Sequence, residues 1–308
     1  MALDSIPLIR SWLYVPGSSV RMLERVFDAG ADAAVLDLED SVPLAEKPAA
    51  RALVVNALDS RSIGEGSRTL AFVRINAVST DGWAEDVRAV VRPGLGGLRI
   101  AKVESPEEVT ELDERIGRAE REASLPLGSL PIVCGIESAS AALAAAAIAA
   151  ASPRVMALAF GAADFMADVG GTESPERNET LWARSRLVAI SRAAGLRPPI
   201  DAVHTALDDE EGLRRSTVAG RDLGFFGRSA IHPRQVPTIN EIYTPAPAAV
   251  ERASRIVMRA DEAAAQRRGA LRLEDGSFVD AAVVRHARGI LALSREIDST
   301  PRTGRDDD

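Results

Sequence analysis

Acidic residues stand at the ends of several apolar segments of this chain of 308 residues. The segment AVLDLEDSVP passes from apolar residues to Asp37, Glu39 and Asp40, and two later segments end at Glu137, in CGIES, and at Asp164, in FGAADF. Carboxylates that meet at the ends of buried segments repel one another unless a cation compensates them. A set of oxygen donors without cysteine favours a hard divalent ion, Mg²⁺ or Mn²⁺, over zinc.

Basic residues accompany these acids. Arg74 lies inside the apolar segment AFVRIN, and Lys102 lies inside GLRIAKV. A buried arginine needs an anion, so Arg74 is a candidate for binding an acidic group. Lys102 has two interpretations, a charged partner at the site or a side chain whose stem runs along an apolar wall.

Alternation along a strand divides the acids of DLED. Asp37 and Glu39 are two residues apart and share one face, whereas Asp40 falls on the other face. At most two of these three carboxylates therefore point the same way. Helix capping is the alternative role for Asp40 and for Asp164.

Eight short apolar segments alternate with amphipathic helical segments along most of the chain. The eight are SWLYVP, AAVLDLED, TLAFVRIN, GLRIAKV, PIVCGIES, VMALAFGA, PPIDAVH and GFFGRSAI. This count predicts an α/β fold, the TIM (β/α)8 barrel, in which reactive residues lie at the carboxyl ends of the strands. A doubly wound sheet is the alternative, but the first segment is not followed by its G-x-G-x-x-G pattern.

Two histidines lie at the ends of the last two of these segments. His204, near the end of the seventh, is interpreted as a loop residue. His232 follows the eighth segment and precedes a proline at the start of a helix. It is therefore a candidate for positioning the backbone or a ligand.

The domain organisation changes after the eighth unit. We predict a barrel domain over residues 1–245 and a C-terminal helical extension over 246–298, in which two helices flank an exposed turn that carries Asp280. The polar residues 299–308 are predicted to be a disordered tail.

Composition excludes several classes of protein. The 37 Lys and Arg residues stand against 45 Asp and Glu, a net charge of −8, which argues against a nucleic-acid-binding protein. The single Cys134 excludes a disulfide framework and fits a reducing compartment. The N-terminus lacks the pattern of a signal peptide, and the Ala-rich SASAALAAAAIAAAS is too weakly hydrophobic for a membrane span, so a cytoplasmic protein without a membrane partner is expected.

Nine motifs occur in a characteristic order between about Trp12 and Ala292. They are LYVPGSSVRML, DLEDSV, K-x-x-AR, RIN, KVES, IES, FGAADF, IHPRQ and DGSFVD. Together they resemble the HpcH/HpaI aldolase/citrate lyase family, in particular its citrate lyase β-like branch. The resemblance implies a TIM barrel that assembles as a homotrimer or hexamer and makes or cleaves a carbon–carbon bond of 3-hydroxyacyl thioesters with Mg²⁺.

The resemblance also implies roles for the residues at the strand ends. Glu137 and Asp164 would bind the metal, and Glu137 would also contact the substrate. Arg74 would hold the carboxylate or oxyanion of a 2-oxo acid and contribute to catalysis. Asp37 and Glu39 would orient Arg74 and bind water held by the metal.

Further roles are implied outside this group. Asp280 would reach the site of a neighbouring subunit as the catalytic acid/base. Tyr14, Arg21 and Arg25, placed in the loop after the first strand, would contact the CoA moiety, and His232 is assigned to substrate binding.

Three activities are consistent with these residues. The first is a lyase, or a synthase in reverse, that acts on an acyl-CoA and a 2-oxo acid such as oxaloacetate, glyoxylate or pyruvate. The alternatives are a 3-hydroxyacyl-CoA thioesterase and a citrate lyase β subunit that uses an acyl-carrier-protein thioester. A purely structural or ligand-binding role is disfavoured, because five charged groups at one barrel mouth are hard to explain without chemistry.

Overall fold

The computed structural model describes residues 6–63, 69–172, 174–265, 271–272 and 278–299. Within them, seven parallel strands form one sheet in the order β6-β5-β4-β3-β2-β1-β7. The strands are β1 (Ser11–Pro16), β2 (Ala33–Asp37), β3 (Leu70–Ile75), β4 (Gly97–Ile100), β5 (Ile132–Ile136), β6 (Val155–Phe160) and β7 (Arg228–Ala230).

A short segment between β6 and β7 closes the sheet into a ring. Ile200 forms a parallel bridge with Ala159 of β6, and Asp201 forms one with Arg228 of β7. The ring confirms the predicted barrel, but the prediction of a full seventh strand over PPIDAVH is wrong. Pro198 and Pro199 have no amide hydrogen to donate, which limits the ladder at this segment.

Helices follow the strands and cover the outside of the barrel. They are α1 (Val20–Arg25), α2 (Lys47–Ile63), α3 (Trp83–Val90), α4 (Pro106–Glu122), α5 (Ala139–Ala150), α6 (Ala162–Asp168), α7 (Leu181–Ala193), α8 (Glu210–Leu223) and α9 (Val236–Tyr243). Local sequence sets several of their ends. Ser105 caps α4 by accepting a hydrogen bond from the amide of Glu108, and Asp209 caps α8 by accepting one from Gly212.

Side chains of each strand alternate between two separate cores. The outer core lies between strands and helices and includes Leu36 and Val73 with Val54 and Leu58 of α2. The inner core fills the barrel with the residues Trp12, Ala33, Val35, Phe72, Val133, Ala157, Ala159 and Ile200. Because both faces of each strand are buried, the strands are nearly continuous apolar segments in the sequence.

A buried ionic cluster holds the closing segment. The Asp201 carboxylate is fully buried and lies 2.9 Å from the guanidinium of Arg184 and 3.2 Å from that of Arg177. Burial alone would raise the pKa of Asp201, but the positive charges of Arg177, Arg228 and Arg184 hold it below its usual value. The cluster therefore links the closing segment to the region of α7 and to β7.

The second compact unit comprises Thr244–Asp308. It contains α10 (Pro247–Ala265), α11 (Ala281–Ser299) and an antiparallel pair, β8 (Leu271–Arg272) with β9 (Phe278–Val279). The buried side chains of this unit include Ala253, Ile256, Val279 and Ala287. We predicted a division at 245/246, and the structure divides the chain at 243/244. Most of the predicted disordered tail, residues 300–308, lies outside the described residues.

Across the described ranges, no helix combines the length and the apolar character needed to cross a membrane.

Replacing Asp201 by asparagine is expected to destabilise the barrel by about 3–5 kcal/mol, because three buried arginines then lose their anion. An acid whose pKa is lowered by folding stabilises the protein above its unfolded pKa of about 3.9 and loses this effect as the pH falls through the folded value. The free energy of unfolding in urea is therefore expected to differ most between wild type and Asp201→Asn at pH 7, and the difference is expected to decrease in strong acid.

The control for this experiment is Asp59→Asn, which removes the exposed partner of Arg92. A pair of this kind contributes about 0–1 kcal/mol. Equal free energies of unfolding for the two variants at pH 7 would contradict the importance of the Asp201 cluster.

Candidate active site

Charged side chains occupy the inner face of the barrel at the carboxyl ends of the strands, a region called the mouth below. Asp37 ends β2, Arg74 and Arg99 lie in β3 and β4, and Glu137 follows β5. Asp37, Arg74 and Arg99 are each flanked by residues of the outer core, so alternation turns these side chains inward. Glu137 directly follows Ile136 of the outer core, and its carboxylate lies beside Gly135 and Gly161. The mouth therefore lies above the apolar residues of the inner core.

Arg74 is held by two carboxylates. Its Nε and Nη2 donate to Asp37 at 2.6 and 2.7 Å, and its Nη1 lies 3.0 Å from Glu39. The structure thus brings Asp37 and Glu39 to one side, as alternation predicts, although β2 ends at Asp37 and Glu39 lies in the loop. Burial would raise the pKa of Asp37, but the hydrogen bonds and the charge of Arg74 lower it.

The loop after β2 folds around these acids. Asp37 accepts a hydrogen bond from the amide of Glu39 at 3.0 Å, and Glu39 accepts one from the amide of Asp40 at 2.8 Å. The Nζ of Lys102 lies 2.6 Å from Glu39 and 2.8 Å from Asp40. Lys102 is therefore a charged partner at the site. The capping role considered for Asp40 is wrong, since the N-cap position of the next helical turn is Pro43 and the side chain of Asp40 pairs with Lys102.

Glu137 sits in a space that two glycines leave open. A Cβ atom at Gly161 would lie 2.7 Å from the Cγ of Glu137, and one at Gly135 would overlap its carboxylate. Burial and the negative charge of Asp164 raise the pKa of Glu137 to about 7, although Arg74 and Arg99 act in the opposite direction. The carboxylate of Glu137 is thus destabilised in the absence of a cation.

Asp164 lies in the first turn of α6, with an exposed side chain. The capping role considered for it is wrong, because Asp164 lies inside the first turn and the N-cap position of α6 is Gly161. Its charge acts on Glu137, which places the two acids at the same part of the mouth.

The donor set fits Mg²⁺. Among the residues that the structure describes, no group of three or more His, Cys, Asp and Glu side chains has the geometry to hold a metal. Mg²⁺ is commonly bound by one or two carboxylates of a protein, because water or substrate oxygens fill its remaining coordination positions. It does not need sulfur or imidazole ligands. Glu137 and Asp164 are the residues that would hold the ion.

Tyr14 does not lie in the loop where we expected it. It belongs to β1 and points into the barrel, where the guanidiniums of Arg74 and Arg99 each lie 5.1 Å from its ring centroid. Arg21 and Arg25 do follow this strand and are exposed on α1, four residues apart on one face. Contact of these residues with CoA stays a prediction.

Sequence analysis missed Arg99. Only 6% of its surface is exposed, and its guanidinium stacks on Tyr14 inside the barrel. The signal was available, because Arg99 is an isolated charge within an apolar segment in the same way as Arg74.

The histidines near the mouth have local partners. His232 caps a short 3-10 helix by accepting a hydrogen bond from the amide of Arg234 at 3.2 Å. His204 lies in a loop, as interpreted, and its Nε2 is 3.1 Å from the carbonyl oxygen of Asp209. The structure gives His232 the role of positioning the backbone, and its contact with substrate stays a prediction.

Asp280 lies in the second unit, just before α11. Its Oδ1 accepts hydrogen bonds from the amides of Ala282 and Val283 at 2.8 and 3.0 Å. These bonds lower the pKa of the exposed carboxyl group, which is therefore ionised at neutral pH. Its predicted role at the site of a neighbouring subunit stays a prediction.

Known proteins with similar sequences include two proteins named as lyases and one named as a thioesterase. The chain is 36% identical to the citrate lyase subunit beta of Leuconostoc mesenteroides subsp. cremoris over 93% of either chain. It is 34% identical to the (3S)-malyl-CoA thioesterase of Cereibacter sphaeroides, over 94% of this chain and 95% of the relative. Identity is also 34% to the L-malyl-CoA/beta-methylmalyl-CoA lyase of Rhodobacter capsulatus, over 92% and 94% of the chains.

A solved structure shares the fold. The crystal structure of CitE from Mycobacterium tuberculosis in complex with magnesium, acetoacetate and coenzyme A matches with a TM-score of 0.74 and 29% identity, covering 94% of this chain and 98% of that one. A family model described as HpcH/HpaI aldolase/citrate lyase matches residues 10–233. The resemblance seen in the motifs is thereby confirmed, and the chain belongs to the HpcH/HpaI aldolase/citrate lyase family.

Proposed function

We propose that this protein is a Mg²⁺-dependent carbon–carbon lyase, or a synthase in reverse, that acts on a 3-hydroxyacyl-CoA thioester. The products of cleavage are a 2-oxo acid and an acyl-CoA. The observation that carries the proposal is the position of Arg74, fixed by Asp37 and Glu39, on the same inner face as the carboxylate of Glu137. A cation and a site for a divalent ion thus face one region of the mouth.

The relatives support the chemistry and the ligands. Two of them are named for lyase activity, one on malyl-CoA, and the CitE structure holds magnesium, acetoacetate and coenzyme A. Mg²⁺ held by Glu137 and Asp164 would act as a Lewis acid on the oxygens of the oxo acid.

Arg74 would stabilise negative charge on the substrate oxygen as the bond breaks. In the thioester this oxygen belongs to a hydroxyl group, and it becomes the carbonyl oxygen of the 2-oxo acid. A fixed guanidinium stabilises the charged transition state more than the neutral substrate, and it needs no reorganisation during the reaction. Asp37 and Glu39 prevent the guanidinium from turning away.

Asp280 would exchange a proton with the carbon next to the thioester carbonyl. Cleavage removes the proton of the substrate hydroxyl and leaves an enolate of the acyl-CoA that must gain one. Ionised Asp280 would accept the hydroxyl proton and pass it to this carbon, and the reverse reaction would return it. We place Asp280 at the site of a neighbouring subunit in a homotrimer or hexamer, as the family resemblance implies.

The other assigned residues would bind the substrate. We propose that Arg21 and Arg25 contact the phosphates of CoA, since both are exposed and share one face of α1. His232 and Tyr14 would contact the acyl or oxo-acid end. The single, buried Cys134 is consistent with the reducing environment of the cytoplasm, where we place the protein.

Two alternatives start from the same residues. The first is hydrolysis of the thioester, which is supported by the presence of a thioesterase among the relatives. A subunit role, with an acyl-carrier-protein thioester as substrate, is favoured by the citrate lyase subunit.

The products distinguish these activities. Purified protein with Mg²⁺ and malyl-, citramalyl- or citryl-CoA is expected to release a 2-oxo acid and an acyl-CoA, measured by mass spectrometry. Free CoA with an intact hydroxy acid would contradict the lyase and support the thioesterase. Activity only on an acyl-carrier-protein thioester would support the subunit role.

Glu137→Gln is expected to abolish Mg²⁺ binding in calorimetry and to lower kcat/KM on the order of 10²–10³, because the ion loses a charged ligand. Excess EDTA should have the same effect on the wild type. The matched control is Glu122→Gln, at the exposed end of α4. Full activity of Glu137→Gln, or of the wild type in excess EDTA, would overturn the metal assignment.

Arg74→Lys keeps the charge but loses the paired hydrogen bonds to Asp37. A fall in kcat on the order of 10²–10³ is expected, with a smaller change in KM, because the contact strengthens in the transition state. Arg92→Lys, at an exposed ion pair, is the control. A change in KM alone would show that Arg74 only binds substrate.

A further inference from the structure

We propose that Arg99 binds a second carboxylate of the substrate, so that the oxo acid is a 2-oxo dicarboxylate. The inference rests on the proposed function for the chemistry at Arg74, and it names the class of oxo acid. It follows from the position of Arg99, its burial, and the lack of an anion for its charge among the described residues.

Arg99 faces the interior of the barrel beside Arg74. The two residues are register partners on the neighbouring parallel strands β3 and β4. Leu98 and Ile100, on either side of Arg99, belong to the outer core, so its side chain points inward. The guanidiniums of Arg74 and Arg99 both lie 5.1 Å from the centroid of the Tyr14 ring.

The charge of Arg99 has no counter-ion within the described part of the chain. No carboxylate lies within ion-pair distance of its guanidinium, and its buried Nη1 has no hydrogen-bond partner there. An arginine stays protonated in proteins, so burial cannot be relieved by loss of the proton. Arg74 adds repulsion from the neighbouring strand.

The acids nearby are already engaged. Asp37 binds Arg74 through both oxygens, and Glu39 is shared by Arg74 and Lys102. Glu137 is reserved for the divalent ion in the proposed function. A ligand must therefore bring the anion that Arg99 lacks.

The spacing suits a short dicarboxylate. Arg74 and Arg99 are register partners on adjacent strands, and both guanidiniums lie 5.1 Å from the centroid of the same Tyr14 ring. A second carboxylate on a short oxo acid whose reacting oxygen lies at Arg74 can therefore reach Arg99. Oxaloacetate has such a second carboxylate, whereas pyruvate does not. Tyr14 restricts the plane of the Arg99 guanidinium, which favours a directed pair of hydrogen bonds.

Binding of free oxo acids tests this without any thioester. Calorimetry with Mg²⁺-loaded protein compares oxaloacetate with pyruvate for the wild type, Arg99→Met and Arg99→Lys. The wild type is expected to bind oxaloacetate at least about tenfold more tightly. Arg99→Met is expected to lose this preference, with about 10–100-fold weaker binding of oxaloacetate and pyruvate affinity within about twofold.

Arg99→Lys keeps a charge in the same place and should retain part of the preference, which a mere packing role would not predict. Arg92→Met, at an exposed ion pair with Asp59, is the control and should change neither affinity. Thermal unfolding of each variant shows whether the barrel remains intact. If Arg99→Met does not fold, the preference for oxaloacetate over pyruvate is compared between Arg99→Lys and the wild type, and a reduced preference in Arg99→Lys supports the proposal.

Three results would overturn the proposal: equal weakening of both ligands, no weakening of oxaloacetate, or no preference in the wild type. Failure of the proposed function looks different. In that case the selective binding of oxaloacetate persists and depends on Arg99, but no CoA thioester is cleaved or formed.

Discussion

The paired hydrogen bonds between Arg74 and Asp37 are the interaction on which the mouth of the barrel depends. Both side chains are largely removed from water, and either one alone would be a buried charge with a cost of several kcal/mol. Their pairing fixes the ends of β2 and β3 relative to each other. Asp37 also accepts hydrogen bonds from the amides of Glu39 and Ser41, so the loop takes its shape from the same carboxylate.

Charge around this pair is distributed unevenly, and the imbalance has chemical consequences. On one side, Glu137 and Asp164 bring like charges together, which raises the pKa of Glu137 and creates a place for a divalent cation. On the other side, Arg99 brings a cation to the inner face, and among the residues that the structure describes no carboxylate lies within ion-pair distance of it. A ligand that chelates a metal at one end and carries an anion at the other would satisfy both sides.

Closure of the ring gives these groups their common position. Glu137 follows β5 and Asp164 follows β6, whereas Tyr14 lies in β1, and the two edges of the sheet meet through β7 and the bridges at Ile200 and Asp201. Backbone hydrogen bonds join this segment to both edges, and the buried cluster around Asp201 adds an ionic link to them. The fold therefore uses buried charge in two ways, for closure between strands and helices and for chemistry inside the barrel.

The sequence alone determined the barrel, the shared face of Asp37 and Glu39, the candidates Arg74 and Glu137 near the strand ends, and the preference for a hard metal ion. These follow from the count of apolar segments, from alternation and from the donor types, all of which are local. Tertiary structure decided the rest. We expected Tyr14 in a loop, but it lies on the inner wall of the barrel, and both Arg74 and Arg99 contact its ring. The physical reason is that strand register and ring closure arise from packing between distant segments, so the sequence shows which way a side chain points but not which charges it meets.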